Sequence, residues 1–290
     1  MRKSVQHMPT DNEWDLIIEP KSKFFQLNLK ELWDYRDLIV LFVKRDFSAQ
    51  YKQTILGSLW HFIQPVFTTI VFLLIFSKIA KIPTDSIPPV LFFMSGITIW
   101  NYFSACLTAT SSTFVSNAGI FGKVYFPRMV IPISTVISNM IRFGIQLILL
   151  FSVIFWYHFN GFKFNLSWNL TLIPLLLLIM ALFGLGLGII ISSLTTKYRD
   201  FTVLIGFAVQ LAMYLTPIAY PLSFLKGKSY AKWVELNPLS AVVEGFRFSL
   251  FNKGDFHYND LIFSSVITII VLIIGLLIFS KVERTFMDTV

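Results

Sequence analysis

The sequence predicts an all-α integral membrane protein with six transmembrane helices, an N-terminal amphipathic interfacial helix and a short re-entrant stretch before the last span. Three observations carry this. The 290 residues are 55% hydrophobic and only 14% charged, against about 25% charged in soluble domains, and the mean hydropathy is +0.69. Six apolar runs each approach the roughly 20 residues that a bilayer requires. Between the fifth and sixth lies a proline-broken stretch, Thr216 to Arg247, whose second half is apolar but too short to span.

Residues 1–27 read as a polar leader broken by Pro9 and Pro20, with no early apolar segment of the signal-peptide kind. Residues 28–58 form the amphipathic unit. Asn28 and Glu31 have capping-box spacing, with Asn in place of the usual Ser or Thr. From Leu29 to about Tyr51, Leu29, Leu32, Trp33, Ile39, Val40, Val43 and Phe47 recur at near-helical spacing among interleaved charges. That pattern predicts a helix lying in the cytoplasmic interface. The membrane domain occupies 59–290, with spans at 60–80, 90–114, 131–157, 170–194, 201–220 and 260–280 and a re-entrant region at 221–255.

Six spans put both termini on one side. Residues 1–59, the short connections 115–130 and 195–200 and the tail hold fifteen of the 24 Lys and Arg residues. Short basic loops face the cytoplasm, so both termini of this multi-pass protein are expected there.

The stretch around which the domain is organised runs from Phe201 to Arg247. The fifth run stops at Pro217 and Pro221, a basic turn follows, and Asn237-Pro238 opens the half-length segment carrying Glu244 and Arg247 on one helical face. Such a segment at membrane depth is tolerated only inside protein or along a water-filled cavity, which points to a transport path.

Several chemistries are excluded or weakened. The net charge of +8 matches cytoplasmic loops facing anionic lipid, and there is no basic-aromatic platform for nucleic acid. The single cysteine, Cys106, rules out an internal disulfide or a cysteine metal cluster and reads as inert packing. GLGLG at Gly184, Gly186 and Gly188 lies inside an apolar run, where small residues let helices approach, rather than between a strand and a helix. GIFGKV around Gly122 and Lys123 lacks phosphate-loop spacing. The four histidines, His7, His61, His158 and His257, are scattered with no second ligand at metal spacing, so neither a metal site nor a catalytic cluster is expected. The sequons at Asn165 and Asn169 read as coincidental. Arg142, deep in the third run, is a functional candidate by its position; a structural role, pairing with a carbonyl or with Glu244, is equally open. The aromatic content of 17% suits a lipid-facing surface, and also a path along which sugar rings stack and slide.

Five segments carry a resemblance: RDFSAQYKQTILGSLWHFIQP (Arg45–Pro65), Lys123 with FPRMVIP (Phe126–Pro132), KYRD (Lys197–Asp200), TPIAYP (Thr216–Pro221) and NPLSAVVEGFR (Asn237–Arg247). In this order they resemble the membrane subunit of the ABC-2 type polysaccharide exporters, the permeases for O-antigen, capsule and teichoic acid. The resemblance implies a homodimer of six-span subunits with two copies of a separate cytosolic ATPase. ATP and Mg would bind that partner, leaving this chain without a cofactor. It implies coupling to the ATPase through Arg45, Asp46, Tyr51 and Lys52 and through Lys123, Phe126, Pro127 and Arg128. Trp60, Phe62, Phe67 and Phe72 of the first span and Phe207 and Tyr214 of the fifth would line the path of a lipid-linked glycan, with Arg142. Pro217, Pro221, Asn237, Pro238, Glu244 and Arg247 would form the re-entrant gate. Its half-helices would turn positive N-termini towards a carrier pyrophosphate, with Arg142 and Arg247 adding charge. Two rivals remain open at this point: an ABC-2 permease for a drug or small lipid, and a membrane-embedded enzyme of envelope assembly.

Overall fold

The computed structural model describes residues 29–51, 56–162, 167–198, 200–229 and 231–285. Among the described residues the regular secondary structure is entirely helical. Five helical segments are long and apolar enough to cross a membrane: Trp60–Ile79, Pro89–Ser111, Val130–Phe159, Trp168–Thr195 and Tyr258–Glu283. They correspond to the predicted runs except the fifth. Phe201–Leu215 is a helix of 15 residues, about 22 Å at 1.5 Å per residue, against a hydrocarbon core of about 30 Å. The predicted span 201–220 thus ends early. Pro217 disfavours helical backbone at the residue before it, and Thr216 turns extended at φ −99°, ψ 142°.

Two short helices precede the bundle, α1 (Leu29–Asp34) and α2 (Arg36–Tyr51), with a turn at Tyr35 in what the sequence predicts as one helix. Asn28, offered as its cap, lies outside the described residues. The apolar residues divide into two stripes. Phe42 is buried against the bundle with Leu32, Leu38 and Ile39 packed around it, whereas Trp33, Val40 and Leu41 face outward. α3 (Trp60–Phe72) continues into a π-helical turn at Leu73–Ile79. Then follow α4 (Pro89–Ser111), α5 (Thr113–Phe121), α6 (Val130–Phe159), α7 (Ile173–Thr195, entered by a 3-10 turn from Trp168), α8 (Phe201–Leu215), α9 (Ala231–Glu235), α10 (Pro238–Phe251) and α11 (Tyr258–Thr285). Pro89, Pro174 and Pro238 each occupy the first turn of their helix, where a missing N–H costs nothing.

α4 is the centre. It packs on α3, α6, α7, α8 and α10 and buries residues all round, from Leu91 to Ser111, as a helix apolar on every side should. α7 lies between α4 and α11, and the three GLGLG glycines make both contacts possible. A Cβ at Gly188 would stand 2.6 Å from Thr110 Cβ and one at Gly184 3.0 Å from Cys106 Cβ, both on α4. At Gly186 it would meet the α11 backbone at Leu272, 3.0 Å away. These glycines serve helix packing, and Cys106 is buried among them.

The bundle has two distinct ends. At the end bearing α2, Phe42, Phe114, Phe121, Phe126 and Phe279 form an aromatic cluster, with Phe114 and Phe279 stacked at 4.7 Å. At the far end, polar contacts tie the connections together. Ser223 donates to Asp85 (2.6 Å), Lys253 to Ser86 O (2.7 Å) and Asn169 to Asn252 (2.7 Å), and Lys226 pairs with Asp255 at 2.7 Å. The neighbouring Asp255 carboxylate raises the Lys226 ammonium above the usual lysine range.

Candidate functional site

Three groups of predicted residues are built very differently. At the far end, the break after α8 leaves carbonyls that water cannot reach in an apolar surround, where an unmet acceptor is costly. Arg247 answers them. Its Nη1 donates to Pro217 O (2.6 Å) and Nη2 to Ile218 O (2.8 Å). Nη1 also meets Glu244 Oε1 at 3.2 Å, and the same oxygen accepts from Leu222 N–H at 3.2 Å. Arg247 is 0% exposed and Glu244 1%. The guanidinium lies 3.6 Å from the centre of the Phe92 ring. Gly96 leaves room for it, since a Cβ there would come within 2.7 Å of Nη2.

Asn237 caps α10 by accepting from Leu239 N–H and donates to Thr216 Oγ1 at 3.1 Å. Asn252, at φ 56°, closes α10 by donating its N–H to Phe248 O. Pro238 is tied to α11 through Ser264, whose hydroxyl donates to its carbonyl at 2.7 Å. Thus Pro217, Pro221, Asn237, Pro238, Glu244 and Arg247 sit in one pinned turn-and-helix unit. Arg247 is fully buried in it, with Nη1 and Nη2 engaged by protein carbonyls and a carboxylate and Nε buried without a hydrogen-bond partner, so the expectation that it adds charge for a pyrophosphate meets a side chain with no exposed surface.

At the α2 end, Arg45 donates through Nε and Nη2 to one oxygen of Asp46 and stands 4.5 Å over the Phe42 ring. Phe42 meets Phe126, which meets Phe121. Arg128 lies over Phe121 and donates to Glu283 O on α11. Burial holds its guanidinium below the usual arginine range, against the raising effect of Glu283. Pro127 O accepts from Val130 N–H and so opens α6. Between α5 and this clamp, Gly122 to Tyr125 form an exposed tip in which Lys123 adjoins Val124 and Tyr125, the latter 85% exposed. The side chain of Tyr51, and Lys52 altogether, lie outside the described residues.

The third group is the aromatic set. Trp60 and Phe67 on α3 and Phe207 and Tyr214 on α8 are exposed; Phe62 is half-buried. Phe72 is 8% exposed and packs edge-on against Phe76 and Phe93, so its ring belongs to the core of the subunit. α3 and α8 each lean on α4. Ile205 alone is buried on α8, leaving most of that helix outward-facing.

Arg142 occupies none of these groups. Its Nη1 donates to Asn139 Oδ1 at 2.8 Å, whereas Glu244 is taken by Arg247, so the pairing of Arg142 with Glu244 held open from the sequence does not form. Arg142 and Asn139 stand between two cavities. One, of about 470 Å³, reaches from Arg45, Asp46 and Ala49 of α2 along Ser112, Ser116 and Asn117 to α6. The other, of about 320 Å³, is lined by His61 and Gln64 of α3, Asn101, Ser104 and Thr108 of α4, and Gln146 of α6.

Apart from Arg142, sequence reasoning missed this chamber. Its signal was present: Thr135, Ser138, Asn139, Arg142 and Gln146 recur at three- and four-residue intervals, as do His61 and Gln64, and Asn101, Ser104 and Thr108. A search for intramembrane charge passes over stripes of neutral amides and hydroxyls. Among the described residues no group of three His, Cys, Asp or Glu side chains could hold a metal.

A helical bundle with apolar spans, a pinned broken-helix unit and an aromatic-basic end is the architecture of a membrane transport subunit. The family model for the ABC-2 type transporter matches residues 37–251, and the chain belongs to that family. It is 29% identical over 252 residues to two proteins of Klebsiella pneumoniae named O-antigen export system permease protein RfbA, covering 87% of this chain and 94% of each relative. A Myxococcus xanthus protein of the same name is 28% identical over 223 residues, 76% of this chain and 82% of that one. The chain is thus a multi-pass transport subunit rather than an enzyme.

Proposed function

We propose that this chain is the permease subunit of an ATP-driven exporter that moves a lipid-linked polysaccharide, of O-antigen type, across a bacterial cytoplasmic membrane. The carrying observation is the near full-length similarity to O-antigen export permeases, 87% of this chain and 94% of the relative. A drug or small-lipid permease would share the family, but the near full-length relatives named above are O-antigen export permeases.

In this reading two copies face each other across α3 and α8, whose exposed aromatics Trp60, Phe67, Phe207 and Tyr214 then line the path. α8 with the extended Thr216–Tyr220 makes the sixth crossing. α9 and α10 dip back from the far, external side, held by the Arg247 clamp. The α2 end is cytoplasmic, as are both termini. Two copies of an ATPase, which bind ATP and Mg, seat against α2 and the Gly122–Tyr125 tip. Phe42, Phe126 and Arg128 pass movement of that tip to α6 and α11, because a close-packed aromatic cluster transmits displacement rather than absorbing it.

The test is ATPase activity in proteoliposomes holding this chain and the ATPase encoded beside it, with or without lipid-linked glycan from the same organism. Stimulation by the glycan and not by the free carrier lipid supports the reading. Turnover indifferent to glycan moves the assignment to another ABC-2 substrate, and failure to associate with the ATPase overturns it.

A further inference from the structure

We infer that the turn joining α3 to α4 (residues 80–88) is a strained clip on the Arg247-clamped unit, holding the far mouth of the subunit closed and letting go in each transport cycle. This goes beyond the exporter reading and rests on it only for the claim that the far mouth is the exit.

Asp85 and Ser86 are adjacent and both hold positive φ, 47° and 62°. Residues other than Gly enter that region uncommonly, Asp less so than Ser. Lys81, at the start of the same turn, is at φ 53°. Residues strained in this way persist where their surroundings over-determine them, and they collect at switch regions. Here each member of the strained pair is fastened to one end of the clamped unit. Ser223 donates to Asp85 Oδ1 at 2.6 Å, and Lys253 Nζ donates to Ser86 O at 2.7 Å. Ser223 follows Leu222, whose N–H is held by Glu244, and Lys253 follows Asn252, which closes α10. The Thr84 carbonyl accepts the Ile87 N–H at 2.9 Å and the Thr84 hydroxyl donates to Ile87 O at 2.7 Å, so the strained pair sits inside a tight turn.

The clip ties together the far ends of the two helices that carry the exposed aromatics. α3 and α8 each lean on α4, and the Ser223–Asp85 bond joins the turn after α3 to the turn after α8. Ser223 and Asp85 are half-buried and Ser86 is exposed. Water can replace both bonds, so their net worth is small and backbone strain opposes it. Closed and open forms are then close in free energy, as a switching element requires. The Arg247 clamp, buried throughout, has no such alternative. The helix feeding the clip also has room to rearrange. α3 runs into the π-helical turn Leu73–Ile79, where the Ala80 N–H reaches back five residues to Ile75 O at 2.8 Å. Such turns are frequent at functional sites, and re-pairing this one in the α pattern would rotate the residues beyond it.

The full chain is assembled with its companion ATPase in proteoliposomes. Opening is read as the reaction of Ile87→Cys, a position 2% exposed beside the strained pair, with a polar maleimide. Cys106 is buried, so the parent chain supplies the blank. Ser223→Ala combined with Lys253→Met should raise the labelling rate about tenfold, with the bundle still folded by thermal unfolding. Ser86→Gly keeps the accepting carbonyl and removes the strain. It should hold the unfolding temperature at or above the parent value while slowing labelling and lowering glycan-stimulated ATPase. Bridging Asp85→Cys to Ser223→Cys with a short cleavable bis-thiosulfonate linker should abolish the stimulation, and reductant should restore it. Labelling within twofold of the parent rate after the clip is broken, failure of the two cysteines to bridge, or full stimulation in the bridged chain overturns the inference. Full stimulation in a stable Ser86→Gly chain would reduce the clip to a static tie and overturn it equally. Labelling needs neither glycan nor ATPase. A parent complex without glycan stimulation would therefore sink the exporter reading, while the labelling rates still decide whether the clip opens.

Discussion

Arg247 and Arg142 are both guanidinium groups on helices of the membrane domain, but their surroundings differ in kind. Around Arg247 two backbone carbonyls and Glu244 take the Nη1 and Nη2 donors, Phe92 covers its face, and no surface reaches solvent. At Arg142 the Asn139 amide oxygen accepts from Nη1, and two cavities adjoin. The first arrangement is closed by the protein itself. The second is a polar wall facing space. Intramembrane charge therefore divides into charge sealed against a broken backbone and charge set beside cavities, and sequence position alone does not separate them.

Replacing Arg247 by Met should break this contrast most severely. It strands Glu244 and the Pro217 and Ile218 carbonyls, and the loss of a buried partner costs about 3–5 kcal/mol. Far less folded protein should be recovered from membranes, and adding Glu244→Leu should restore part of it. Gly186→Val comes next. It drives side-chain atoms into the α11 backbone at Leu272, and overpacking of this kind costs about 1–3 kcal/mol, visible as a lowered unfolding temperature. At Arg142→Gln the order of effects inverts. Stability should change by about 1 kcal/mol or less, the range of a single hydrogen bond such as that to Asn139, while substrate-dependent ATPase falls. The smallest effect on folding is expected at the exposed ring Phe207: Phe207→Ala should stay within about 0.5 kcal/mol. A slowed export rate with unchanged stability would assign that ring to the path.

Much of the bundle was legible because long apolar runs have few alternatives to a span. The structured helices start and stop within a few residues of the runs at 60–80, 90–114, 131–157, 170–194 and 260–280. The run from Phe201 was misjudged because hydropathy continues through Ile218 and Ala219, whereas the helix obeys Pro217. The GLGLG stretch was read correctly as packing, since its glycines sit where α4 and α11 close on α7.

The pairing of Glu244 with Arg247 was visible as a three-residue spacing, but their target, the carbonyls beyond Leu215, was not. That contact joins residues about thirty positions apart and depends on tertiary approach. Phe72 shows the converse failure: an aromatic on a span has no readable phase, and this one turns inward to Phe93. The Arg142 chamber was hidden because its neutral amides and hydroxyls gather from three separate helices.

The most direct measurement compares Arg142→Gln with Arg247→Gln, assembled with the companion ATPase. Unfolding temperature and glycan-stimulated ATPase would be read on each. Arg142→Gln should keep the parent unfolding temperature and lose most of the stimulation, while Arg247→Gln should lower the unfolding temperature sharply. Parent-level stimulation in Arg142→Gln, together with an unshifted unfolding temperature in Arg247→Gln, would contradict the division of roles between the two arginines.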